Sequence, residues 1–142
     1  MNGSSEKTYR IAIVAPGRSI ECALADRARE VAASAFGERV ELAFHPQCFL
    51  TDGHFAGDDD IRMAALVEVA NDPAYDAVWF ARGGYGACRI AESGIGRMTA
   101  SARQKTWLGY SDMGFILAGL DRAGFEAVAH GPMPIDLLRE QG

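Results

Sequence analysis

The sequence predicts an α/β domain built on a parallel β-sheet with helices on both faces. Three observations carry that prediction. Short apolar runs rich in β-branched and aromatic residues alternate with helical-period segments; the connections between them are mostly short; and turn residues close nearly every run. A chain of 142 residues suits one such domain with a real core.

Residues 1–8 are polar and read as a flexible leader. Tyr9–Ala15, closed by Pro16-Gly17, reads as a buried first strand. Ile20, Leu24, Ala28, Val31 and Ala35 recur at helical spacing, with Ser19 placed to cap that helix and Gly37 to end it. Arg39–Phe44 alternates Val40, Leu42 and Phe44 with polar neighbours, as a second strand does. Residues 45–57 read as a loop. Asp58, Asp59 and Asp60 then open a helix, where carboxylates interact favourably with first-turn amides. Ile61, Ala65, Leu66 and Val69 are its predicted inner face, and Asn71-Asp72-Pro73 stops it.

Tyr75–Ala81 is the third strand, running into Arg82-Gly83-Gly84-Tyr85-Gly86 and a short helix over 87–93. Thr106–Gly109 is the fourth, followed by Tyr110-Ser111-Asp112 and a helix over 113–123 with Ile116, Leu117 and Leu120 inward. Phe125–Ala129 is the fifth, before His130-Gly131-Pro132 and a last helical segment from Pro134. In open parallel sheets, sites form beyond the carboxyl ends of the strands. Residues 82–86, 109–112 and 130–132 all fall there.

Composition narrows the function classes. A net charge of −5 with no Lys/Arg run argues against a nucleic-acid partner. No apolar stretch approaches the ~20 residues a membrane span needs, and the first residues carry no secretory h-region. Three cysteines without a CxxC pair suit a reducing compartment, so a cytoplasmic location is expected.

Among candidate groups, Ser111 sits at a strand-to-helix turn that projects a hydroxyl into the crevice, above free helix-start amides. The Asp112 amide points where an oxyanion would form. The match to G-x-S-x-G is imperfect, with Met113 at the fifth position and Gly114 one later; a simple helix cap is the competing reading. The glycine-rich 82–86 stretch reads as an anion nest or as a tight turn, and it lacks the phosphate-loop and dinucleotide signatures. His130 is a candidate base or a structural hydrogen-bonder. His45, His54, Asp52 and Asp58 share a loop but match no standard metal-ligand spacing, so no metal is expected. Cys88, near a helix start, reads as a buried, inert thiol rather than a reactive one.

Together, Val14-Ala15-Pro16, Phe55-Ala56-Gly57-Asp58-Asp59, Arg82-Gly83-Gly84-Tyr85-Gly86, Gly109-Tyr110-Ser111-Asp112 and His130-Gly131-Pro132-Met133 resemble, in order, the LD-carboxypeptidase family of serine peptidases. That family includes murein tetrapeptide carboxypeptidases and microcin-immunity hydrolases. The resemblance implies a flavodoxin-like, or class I glutamine amidotransferase-like, three-layer sandwich over residues 9–142. It also implies Ser111 as nucleophile, with the Gly84 and Asp112 amides as oxyanion hole. Arg82, Gly83, Tyr85 and His130 become candidate substrate contacts.

The implied reaction is hydrolysis of the L,D-peptide bond to a terminal D-amino acid in cytoplasmic muropeptides, within peptidoglycan recycling. It needs no metal or other cofactor, and a homodimer is implied. The family's Glu and His belong to a second, carboxyl-terminal domain, expected to lie outside these 142 residues, so the chain alone is expected to be nearly inactive. Gly114 stands where the family usually has Thr. A non-catalytic module binding a peptide or small anion is the rival reading, and a flavodoxin-like nucleotide or receiver domain a third.

Overall fold

The computed structural model describes residues 7–141 and contains five parallel strands in the order β2-β1-β3-β4-β5. The strands are β1 (Tyr9–Val14), β2 (Val40–Phe44), β3 (Ala77–Phe80), β4 (Thr106–Gly109) and β5 (Val128–His130). The helices are α1 (Cys22–Phe36), α2 (Asp59–Asn71), α3 (Ala87–Ile95), α4 (Ala100–Arg103) and α5 (Gly114–Arg122). Single 3-10 turns occupy Gly37–Arg39, Pro46–Phe49 and Ser111–Met113, and a longer 3-10 stretch runs over Pro134–Gln141.

Side-chain alternation along the strands splits the core in two. Ala12, Val14, Val78, Phe80 and Trp107 point to the face covered by α2, α3 and α5, where Leu66, Ile90, Ile116, Leu117 and Leu120 close the larger cluster. Ile13 and Ala15 point the other way, toward Leu24, Ala25 and Ala28 of α1 and Cys48. The Cys48 thiol is buried against the Ile13 carbonyl, and burial pushes its pKa up to about 12.

Several elements depart from the sequence reading. Ser19 does not cap α1: the N-cap is Glu21, without a side-chain bond, whereas Gly37 ends the helix at φ 60° as expected. Val31 and Ala35 are exposed; Val31 lines an open groove between α1 and the sheet with Ile11, Leu42 and Trp79. The 45–57 segment is not irregular throughout: His45 Nδ1 caps the Pro46–Phe49 turn by accepting from the Gln47 amide. Helix α4 was not anticipated.

In α2, Asp58 caps the helix by accepting from the Ile61 amide, but Ile61 is 42% exposed and Arg62 is fully buried in its place. The fifth strand begins three residues late. Phe125 packs in the core against Trp107, and only Val128–His130 pairs with β4. Cys88 is exposed, not buried.

Residues 1–6 of the predicted leader lie outside the described residues. Lys7 pairs with Asp76 at 2.7 Å, and the Thr8 hydroxyl donates to the Glu38 carbonyl at 3.1 Å. Among the described residues, no helix is long and apolar enough to cross a membrane.

Candidate functional site

The chain leaves β1 for β2 on one side and later pairs β1 with β3 on the other, so a crevice opens between the ends of β1 and β3. Three loops meet there. The Pro16-Gly17 turn follows β1, residues 81–86 follow β3, and Tyr110-Ser111-Asp112 follows β4.

Ser111 is the only non-glycine residue at positive φ, 60°, among the described residues. A left-handed conformation costs an L-residue about 1–2 kcal/mol and persists only where its surroundings impose it. The constraints are visible. Gly109 lies against Phe80, a Cβ there falling 2.8 Å from the ring, and the exposed Ser111 hydroxyl stands over Gly83. A Cβ on Gly83 would lie 3.2 Å from Ser111 Oγ, so glycine at that position keeps the hydroxyl open. Gly84, at φ 125°, takes a conformation that L side chains rarely adopt.

The Asp112 side chain turns inward. Its Oδ2 accepts from the Ala87 amide at 3.0 Å, fastening the serine turn to the start of α3. Burial raises its pKa, opposed by the Ala87 amide and by the charge of Arg62.

Arg62 organises the floor. It donates to the carbonyls of Pro16 (2.6 Å), Gly57 (3.1 Å) and Gly86 (3.0 Å) and to Asp59 Oδ1. One guanidinium therefore joins the β1 turn, the entry to α2 and the glycine-rich turn, with Phe55 stacked on it. Arg89 also bonds Asp59, at 2.9 Å, and holds that carboxyl below the usual carboxylate range. Gln47, buried, adds bonds from its Nε2 to the Ala15 and Ala56 carbonyls.

The predicted site residues separate into groups. Ser111, Asp112, Gly83 and Gly84 come together as one turn-on-turn contact. Arg82 lies beside them, half-buried, on a cavity of about 520 Å³ that Arg18 also lines. Tyr85 is 56% exposed, with its ring against Phe55. His130 stands at the end of β5 on a separate cleft with Tyr110 and Pro132.

No hydrogen bond joins Ser111 to a histidine or carboxylate among the described residues. His45 is bonded to Glu68 at 2.9 Å, and His54 is exposed on the Arg18 cavity. Among the described residues, no group of three or more His, Cys, Asp or Glu is placed to hold a metal. Sequence reasoning missed Arg62 and Gln47, because buried polar side chains carry no periodic signal of their own.

The sequence profile of the LD-carboxypeptidase N-terminal domain matches residues 11–131. Over an alignment 157 positions long the chain is 30% identical to a murein tetrapeptide carboxypeptidase of Pseudomonas aeruginosa, covering 97% of this chain and 48% of that protein. It is 38% identical over 81 residues to a probable murein peptide carboxypeptidase of Bacillus subtilis, covering 57% of this chain and 25% of the relative. A solved muramoyltetrapeptide carboxypeptidase from Oxalobacter formigenes superposes with a TM-score of 0.68 at 27% identity, over 88% of this chain and 40% of that one. The chain thus spans a quarter to a half of the length of these curated relatives.

Proposed function

The chain belongs to the LD-carboxypeptidase family, through that family's N-terminal domain, and on this premise we propose that Ser111 is the nucleophile of a serine carboxypeptidase. The substrate class is a cytoplasmic muropeptide, cleaved at the L,D-bond to its terminal D-amino acid during peptidoglycan recycling.

The observation that carries the reading is the positive φ of Ser111 at a strand-to-helix turn, with Gly83 kept bare beneath its hydroxyl. A serine serving only as a helix cap has extended backbone and needs no such strain. In the proposed reaction, Ser111 Oγ attacks the scissile carbonyl and loses its proton to a base. The Asp112 and Gly84 amides hold the resulting oxyanion. The amine of the D-amino acid then leaves with a proton, and water hydrolyses the acyl-enzyme. Arg82, Gly83, Tyr85 and His130 are the proposed substrate contacts.

The base is proposed to come from outside the described residues, since no histidine or carboxylate is bonded to Ser111 within them. The described domain by itself is then a slow catalyst. That same observation favours a second reading, a module that binds such peptides without cleaving them. D-alanine release from an L,D-linked tetrapeptide by the natural full-length protein decides between the two. Ser111→Ala is expected to lower release by about 10⁴-fold or more. Release that survives the substitution overturns the assignment, and peptide binding without release in either protein establishes the binding module.

A further inference from the structure

The cavity that opens at Arg82, where the glycine-rich turn begins, is the feature that the catalytic reading leaves unassigned. Its charged lining is Arg18, Arg27 and Arg82 against the single carboxylate of Glu21, so it is electropositive inside a chain of net charge −5. Arg27 lies within ion-pair distance of Glu30, at 4.0 Å, but neither Arg18 nor Arg82 forms an ion pair among the described residues.

Arg82 is held by little. Its Nη1 donates to the Ser19 carbonyl at 3.5 Å, the outer limit of a hydrogen bond. Its Nε is the one buried side-chain nitrogen or oxygen without a partner among the described residues. Buried polar groups are otherwise almost always satisfied, and an orphan in a native fold calls for an explanation. Burial, and then the neighbouring charge of Arg18, lower the Arg82 pKa; an anion between the two would oppose that lowering by favouring the charged guanidinium.

Position supplies the chemistry of that anion. Gly83 lies under Ser111 Oγ, and the Arg18 methylenes lie over Gly84, the next residue. Successive Cα atoms are about 3.8 Å apart, so the Arg18 stem crosses the glycine-rich turn about one residue from the point of attack, and Arg82 precedes Gly83 in the same turn. In a carboxypeptidase substrate, one residue also separates the scissile carbonyl from the terminal carboxylate. Ile20, Leu24 and Ile135 form an apolar wall suited to a small side chain.

We propose that Arg18 and Arg82 form the subsite for the C-terminal carboxylate of the substrate, with Arg82 presenting its planar fork and Arg18 a second charge. The proposal rests on the carboxypeptidase reading and assigns its requirement for a free chain end. A guanidinium fork matches a carboxylate in two parallel hydrogen bonds, which an ammonium cannot reproduce.

The test compares binding of an L,D-linked tetrapeptide ending in D-alanine with binding of its C-terminal amide, by calorimetry on the chain carrying Ser111→Ala to prevent turnover. The free acid is expected to bind about ten- to a hundredfold more tightly. Added Arg82→Gln should abolish most of that preference, Arg82→Lys part of it, and Arg18→Gln part of it. Circular dichroism and urea unfolding check the fold of each variant, and Arg18→Gln, at an exposed position, carries the test if Arg82→Gln does not fold.

Equal binding of acid and amide, undetectable binding of the acid, or a preference unchanged by Arg82→Gln and Arg18→Gln each overturns the subsite. Fluorophosphonate labelling of Ser111 in the otherwise wild-type natural protein reads the nucleophile separately. Labelling without acid preference removes only the subsite. Acid preference without labelling removes the hydrolase and leaves a carboxylate-binding crevice.

Discussion

Arg62 and Arg82 both bring a guanidinium to the carboxyl edge of the sheet, yet their surroundings differ. Arg62 is fully buried and bonded to three carbonyls and a carboxylate. Arg82, half-buried, has one long bond and an orphaned Nε. Burial lowers the pKa of both, but Asp59 opposes the shift at Arg62 whereas Arg18 adds to it at Arg82. A satisfied buried charge holds loops together, while an unsatisfied one beside a cavity is poised for a ligand.

The largest expected effect tests this contrast directly. Arg62→Ala strips the side-chain donor from the Pro16 and Gly57 carbonyls, leaves Gly86 with the Arg89 amide alone and removes a partner of Asp59, so it should destabilise by about 3 kcal/mol or more in urea unfolding. Arg82→Gln should change stability by no more than about 0.5 kcal/mol. Similar losses for both would erase the distinction.

Gly83→Ala is next. Its Cβ would crowd Ser111 Oγ at 3.2 Å while the fold should tolerate it, so fluorophosphonate labelling should slow by at least about tenfold with little change in unfolding midpoint. Ser111→Gly should stabilise the fold by about 1 kcal/mol, because glycine takes φ 60° without strain. A destabilised Ser111→Gly would mean that the turn is not strained.

The smallest effect is pH-dependent. Asp59, held low chiefly by its bond to Arg89, contributes stability above the ordinary carboxylate pKa that is lost as pH falls through its depressed value. With Asp59 partly exposed, the contribution should not exceed about 1 kcal/mol. Urea midpoints should therefore fall in acid less steeply for Asp59→Asn than for the parent.

Much of the fold was legible because burial on both sides of a parallel sheet writes short apolar runs closed by turn residues. Ile11–Val14 and Val78–Phe80 are such runs, and the three motifs at strand ends were placed correctly for the same reason. The inner face of α2 was misjudged at one position. Arg62, Ala65, Leu66, Val69 and Ala70 share one face at helical spacing, but hydrophobicity favoured Ile61 as the inward residue. Phe125 misled in a similar way, since an aromatic residue that packs in the core need not lie on the strand.

The sequence by itself determined the alternation of elements, the parallel sheet and the strand-end turns, because these follow from local periodicity and from residues with restricted backbone freedom. Only the tertiary structure decided that Ser111 is held at positive φ over Gly83, that Arg62 knots three loops, and that Arg82 lies unpaired beside Arg18. Those outcomes depend mostly on contacts between residues distant in sequence, such as Arg62 with Pro16 and Gly86 or Gly83 with Ser111, and no local pattern encodes whether a buried charge will find its partner.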